Sequence, residues 1–204
     1  MNRLSVRNYV DIPLDDTSHP GTFYTFSGLD TAHEHIVIKL GPTHSDSPLV
    51  RIHSECLTGD VFSSQRCDCG PQLNESILRM RKAGGYLIYL RQEGRGIGLY
   101  AKLDAYRLQD SGMDTFEANA HLNFPEDGRD FSMAAGMLKA LNINHCKLIT
   151  NNPDKVQALV DNGIVVDQVI PTGVFETRHN AHYLQAKVDK KNHLIDLVKH
   201  PKRA

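Results

Sequence analysis

The chain has 204 residues, 40% of them hydrophobic, which is enough to bury a substantial core and fits one domain better than two. Its 23 Lys+Arg against 24 Asp+Glu give a formal charge of -1, so no global basic excess points to nucleic acid, and any anion site must be local. The start, MNRLSVRNYVDIPLDD, lacks a secretory h-region and no apolar run approaches a membrane span, so the cytosol is expected. In that reducing compartment the four cysteines are read as metal ligands, catalytic thiols or core residues rather than disulfides.

Residues 1–48 are rich in turn formers around one apolar run, His35 to Leu40, which reads as a strand. Next comes VRIHSECLTGDVFSSQRCDCG, where Cys56, Cys67 and Cys69 stand as C-x10-C-x-C. Three soft ligands with no fourth cysteine nearby suit a catalytic zinc, which keeps one position for water; structural zinc is normally closed by four. The alternatives are buried thiols, which an Asp/Gly/Arg-rich setting argues against, or a closed site completed by His53, three residues before Cys56. From Gln72 to Ala83, Leu73, Ile77 and Met80 recur at helical spacing, and Gly84-Gly85 closes the helix before a strand, Tyr86–Leu90.

The loop Arg91 to Gly98 is glycine-rich and leads into a helix whose first amides can face an anion, with Arg95 as the matching charge. It lacks both standard phosphate-loop spacings, so on the residues alone an ordinary strand-to-helix turn with solvated charges explains it better. Leu99, Leu103 and Tyr106 repeat the helical period, which makes Tyr106 a core aromatic on spacing alone. Glu126 to Asp130 is an acidic and basic cluster suited to the amino end of the helix that Phe131, Ala135, Leu138 and Leu141 outline. Lys147–Thr150 reads as a strand and Asn152-Pro153 as N-cap and N1. Val156, Leu159 and Val160 form the expected buried stripe, and Gly163 is the stop before a strand over Ile164–Ile170. Cys146 is expected to be a small core residue, Lys155 a solvated lysine, and the charged tail Ala181–Ala204 an exposed, fraying helix. The alternation predicts an α/β fold, a mixed sheet between helices in a single domain. Its segments are an N-terminal strand and loop region (1–48), a catalytic core (49–170) and a tail (171–204).

IHSECLTGD, RCDCGPQL, RQEGRGIGL, EDGRDF and ITNNPDKV, in that order over about residues 50–170, resemble the GTP cyclohydrolase II family of riboflavin synthesis. The resemblance implies catalytic zinc on Cys56, Cys67 and Cys69. It places GTP against Arg51, Ile52, His53, Ser54, Glu55, Gln72, Glu93, Gly94, Arg95, Thr115, Thr150 and Lys155, with Mg²⁺ accompanying the phosphates. Glu55 or Glu93 would accept from guanine N1–H and its amino group. It makes Tyr106 catalytic, Asp127 a proton acceptor and Arg129 the nucleophile at the α-phosphorus. Because a guanidinium stays protonated and has no lone pair to spare, charge stabilisation is the easier role for Arg129.

The implied reaction releases pyrophosphate and formate and leaves 2,5-diamino-6-ribosylamino-4(3H)-pyrimidinone 5′-phosphate. A homodimer of the stand-alone type is implied, with neither nucleic acid nor membrane as partner. A sister activity that stops at the formylamino-pyrimidine and a non-catalytic zinc module are the rivals. Two places depart from the family pattern: Leu122-Asn123-Phe124 where Leu-Gly-Phe is usual, and Val174 to Arg178 in place of a Gly-Arg-Asn stretch. Asparagine visits positive φ readily, so the first turn is expected to survive.

Overall fold

The computed structural model describes residues 4–14, 19–29, 33–43, 45–113, 115–125, 127–181, 183–185 and 188. Seven strands form one sheet: β1 (Ser5–Ile12), β2 (Gly21–Ser27), β3 (Ile36–Leu40), β4 (Leu49–Ser54), β5 (Gly85–Leu90), β6 (His145–Ile149) and β7 (Val165–Ile170), in the order β1-β2-β3-β5-β4-β6-β7. The β1/β2, β2/β3 and β3/β5 pairs are antiparallel, whereas β5/β4, β4/β6 and β6/β7 are parallel. This is the expected mixed sheet. The helices are α1 (Leu57–Asp60), α2 (Cys69–Ala83), α3 (Leu99–Asp110), α4 (Thr115–His121), α5 (Ser132–Ala140) and α6 (Pro153–Asp161), with a 3₁₀ turn over Glu93–Gly96. None of the described helices is long and apolar enough to cross a membrane.

Strand alternation divides the core between the two faces. Val50, Ile52, Ile88 and Leu148 pack with Ala134, Leu138 and Leu159 of α5 and α6. On the other face Leu87 and Ile149 pack with Met80, Leu73 and Ile77 of α2. The sheet is thus covered by helices on both sides. Cys146 is fully buried within the first cluster, as expected.

Several elements differ from the sequence reading. Within residues 1–48 there are three strands rather than one, because β1 is an edge strand with almost no buried side chain and so carries no apolar alternation. Helix α2 begins at Cys69, three residues before Gln72, and α4 was not anticipated. Two expected stripes are out of phase: Leu103 is 43% and Val160 50% exposed. The buried residues of α3 are Lys102 and Ala105, and those of α6 are Lys155 and Leu159, since both helices turn a polar side chain inward. Asn152 does cap α6, its Oδ1 accepting from the Asp154 N–H at 2.9 Å, with Pro153 following. Asn123 adopts φ 60, the left-handed turn that its position calls for. Most of the tail from Ala181, like Glu126, lies outside the described residues.

His35 links this fold to pH. Its buried Nδ1 accepts from the Arg91 N–H at 2.9 Å, so protonation removes an acceptor. Burial, then the charges of His33 and Arg91, lower its pKa to about 4, against a weaker opposing pull from Asp130. Folding therefore favours the neutral ring. The stability it contributes is complete above about pH 6.5 and is lost as pH falls from there towards 4. The urea midpoint is expected to fall across that window, and His35→Gln, which keeps an acceptor, to flatten the slope. Equal slopes in the two proteins would remove His35 from this account.

Candidate active site

The site lies where parallel strands commonly place one, beyond the carboxyl ends of β4, β5 and β6. As β4 ends, Glu55 and Cys56 follow, α1 makes one turn, and the chain returns through Cys67 to Cys69 at the start of α2. Two glycines allow this close approach. A Cβ on Gly70 would sit 2.3 Å from the Gly59 carbonyl oxygen, and one on Gly59 would stand 3.0 Å from Cys67 Sγ and 3.1 Å from Cys56 Sγ. The sulfurs of Cys56, Cys67 and Cys69 lie within 4.8 Å of one another, and Cys56 and Cys67 are 3.6 Å apart. Tetrahedral zinc with Zn–S bonds of about 2.3 Å needs sulfurs about 3.8 Å apart. The donor set fits.

Three sulfurs this close do not all ionise unaided. Sulfur hydrogen bonds from Cys67 and Cys69 hold Cys56 well below the usual thiol range, while the bond to Cys56 pushes Cys67 up to about 11 and the corresponding bonds raise Cys69. A divalent cation would let all three act as thiolates. Among the described residues no further Cys, His, Asp or Glu joins the group. His53 in particular is not a fourth ligand: its Nε2 faces both oxygens of Asp60 at 3.0 Å. Asp60 also accepts from the Cys56 N–H at 3.0 Å and the Tyr89 hydroxyl at 2.8 Å, so this carboxylate, not singled out by sequence, ties the first cysteine to the sheet.

Two chambers adjoin here. The first holds the cysteines together with Glu55, Glu93, Tyr106 and Asn119. The second is lined by Arg51, Arg95, Arg129, Lys155, Thr150 and His53, among others, and no carboxylate lines it among the described residues. Ser54, Cys69, Arg95, Arg129 and Tyr183 belong to both. The local positive charge that the overall balance required is therefore present. Lys155 is buried, not solvated, and its Nζ donates to the Ile52 carbonyl at 2.9 Å. Arg51 is tied by donation to the Ile149 carbonyl at 3.0 Å and to Gln72 Oε1 at 2.9 Å, leaving a buried Nε without a partner. Ile52 itself is fully buried in the core and lines neither chamber, meeting the site only through the bond from its carbonyl to Lys155.

Gly94 and Arg95 both have φ 63; for arginine this is an uncommon left-handed conformation, held in place here by the loop's contacts. The Arg95 carbonyl accepts from the Gly128 N–H at 2.9 Å, and the Gln92 amide donates to the Asp130 carbonyl at 2.9 Å. These bonds dock the Asp127 to Arg129 loop. Gly98, which caps α3, lines neither chamber, whereas the amino ends of α2, at Cys69, and of α6, at Asn151 and Asn152, line the second. Arg129 grips Asp127 through two side-chain bonds, Nε to Oδ1 at 2.8 Å and Nη2 to Oδ2 at 2.6 Å. Burial opposes both charges, but the pair outweighs it: Arg129 is raised above the usual arginine value and Asp127 lowered below the usual carboxylate one. That favours charge stabilisation over attack for Arg129. Glu93 accepts from the Leu57 N–H at 2.7 Å, the Gly94 N–H at 2.9 Å and Lys102 Nζ at 2.8 Å. Glu55, bonded at Oε2 by Arg91 Nε at 2.8 Å, keeps more accepting capacity. Thr115 opens α4, and its side chain lies outside the described residues.

Sequence reasoning missed Lys102, Asp60, Asn119 and Tyr183. The signal available for Lys102 was its place one turn before Tyr106 on a weakly amphipathic helix, which reads as well with Lys102 inside as with Leu103 inside.

A cluster of three thiols sharing a wall with a cationic pocket, at one end of a mixed α/β sheet, defines an enzyme with a candidate metal centre beside an anion site. The chain belongs to the GTP cyclohydrolase II family, whose model matches residues 9–171. It is 53% identical to the GTP cyclohydrolase-2 of Aliivibrio salmonicida, over 95% of this chain and 98% of that one. Those of Vibrio cholerae and Neisseria meningitidis are 50% identical over 94% of this chain and 98% of theirs, and 49% identical over 84% and 89%, respectively. The protein is a hydrolase of that type.

Proposed function

We propose that this chain hydrolyses GTP, opening the imidazole ring and releasing formate and pyrophosphate to give 2,5-diamino-6-ribosylamino-4(3H)-pyrimidinone 5′-phosphate, the first committed step of riboflavin synthesis. The observation that carries it is the contrast between the two chambers: the three thiols, Glu55 and Glu93 line the first beside Arg66 and Lys102, the second has Arg51 and Lys155 and no carboxylate among the described residues, and Ser54, Cys69, Arg95, Arg129 and Tyr183 belong to both. A guanine base fits the first and a triphosphate the second. Zinc on Cys56, Cys67 and Cys69 supplies Lewis acidity that makes hydroxide available near neutral pH. Glu55 accepts from guanine N1–H and the amino group, with Glu93 holding the loop and lending its remaining lone pairs. Tyr106 donates a proton to the departing ring nitrogen. Arg95, Arg129 and Lys155 hold the phosphates, and Arg129 stabilises charge at the α-phosphorus. Asp127, kept ionised, orients Arg129 and is the proton acceptor of the phosphate side. Mg²⁺ accompanies the phosphates, and the working form is a cytosolic homodimer.

Incubation with GTP, Mg²⁺ and Zn²⁺ tests this by quantifying both small products. Equal yields of formate and pyrophosphate are expected. Pyrophosphate without formate would indicate the activity that stops at the formylamino-pyrimidine, and neither product would leave a zinc-binding module. Arg129→Ala and Lys155→Ala are expected to keep the metal and to lower kcat/KM by roughly 10- to 150-fold each, the value of about 1.5–3 kcal/mol for a hydrogen bond to a charged group.

A further inference from the structure

Lys102 has no part in the reaction as outlined, yet it lines the first chamber. It is buried on α3, with Nζ 3.2 Å from Cys56 Sγ, 3.0 Å from Thr58 Oγ1 and 2.8 Å from Glu93 Oε1. All three ammonium donors are thereby used. The same nitrogen stands 5.7 Å from the centre of the Tyr106 ring. One cation thus meets a candidate metal ligand, the carboxylate that fixes the first turn of α1, and the proposed proton donor.

The charge count explains why a cation belongs there. Three thiolates and a divalent ion sum to one net negative charge, and Glu93 adds another in the same buried space. An uncompensated charge there would be costly. We propose that Lys102 is a positioning residue of the metal centre: its ammonium offsets the excess negative charge through Cys56 and fastens that ligand to Glu93. This rests on the three cysteines holding zinc. The plainer explanation is that Lys102 only neutralises Glu93, and the two make different predictions.

Lys102→Met keeps the length of the side chain and removes its charge. Zinc affinity, measured by competition with a chromophoric chelator, is expected to fall roughly 10- to 100-fold, the usual effect of removing a partner of a metal ligand. In the cobalt-loaded protein the thiolate charge-transfer band is expected to shift. Lys102→Met/Glu93→Gln carries the test should the single variant fail to fold, because it buries no lone charge. Metal affinity should remain low in it, since Cys56 has still lost its ammonium. Wild-type affinity and cobalt spectrum in Lys102→Met, or their recovery in the double variant, would overturn the proposal. A wild-type protein showing no thiolate band with cobalt would instead sink the metal assignment beneath it.

Discussion

Cys67→Ser is expected to lose its zinc and to reduce formate release to background while the protein stays folded. The sulfur at this position is one of only three gathered in the cluster, and no other Cys, His, Asp or Glu among the described residues stands ready to replace it. A serine hydroxyl is far harder to ionise than a thiol and is a poor partner for a soft site. The fold should persist because Cys67 sits in the loop before α2 and belongs to neither hydrophobic cluster. A metal of catalytic type contributes less to folding than a structural one where the chain has its own core. Cys146→Ser is the control, since it places a hydroxyl inside the main cluster and should cost about 1–3 kcal/mol of stability without touching metal content. Metal analysis, a urea transition and a formate assay on the two variants separate these effects. Full zinc occupancy in a variant changed at Cys56, Cys67 and Cys69 together would remove the cysteines as ligands.

In the parallel half of the sheet β5, β6 and β7 were legible as apolar runs separated by helices, Tyr86–Leu90 and Lys147–Thr150 locating β5 and β6 to within two residues, whereas β4, whose run is interrupted by Arg51 and His53, was not read as a strand. The antiparallel edge was not, since an exposed strand such as β1 needs no hydrophobic pattern to pair. In the site, Cys56, Cys67 and Cys69 stood out because thiols at that spacing are rare without a purpose. Buried charges did not. Lys102, Asp60 and Lys155 look like solvated residues until the fold closes around them, and spacing alone could not tell which side of α3 or α6 faces inward. The resemblance brought Lys155 to attention, but its bond to the Ile52 carbonyl, and the burial of Ile52 itself, are properties of the three-dimensional structure.

Tyr106 is where a packing role and a chemical role separate most sharply. Its ring lies 4.8 Å from the Arg66 guanidinium carbon and 5.7 Å from Lys102 Nζ, and it lines the chamber that holds the cysteines. Burial raises the phenol above its usual pKa, and the opposing effects of Lys102 and a bond to Thr58 do not cancel the rise. At neutral pH it is therefore protonated, the state required of a group that must give a proton to a departing ring nitrogen. Tyr106→Phe removes the hydroxyl and keeps the ring between its two cations. If Tyr106 only packs, the loss is at most the hydroxyl's own bond, about 1 kcal/mol of stability, with turnover within a few-fold of wild type. As the general acid, it should slow ring opening roughly 10²- to 10⁴-fold while metal content and the urea midpoint hold. The second outcome is expected, read as formate release and as the diaminopyrimidine absorbance under single-turnover conditions. Wild-type formate release in Tyr106→Phe would return the residue to packing. The proton would then have to come from water, because Arg129 keeps Asp127 ionised and an ionised carboxylate has none to give.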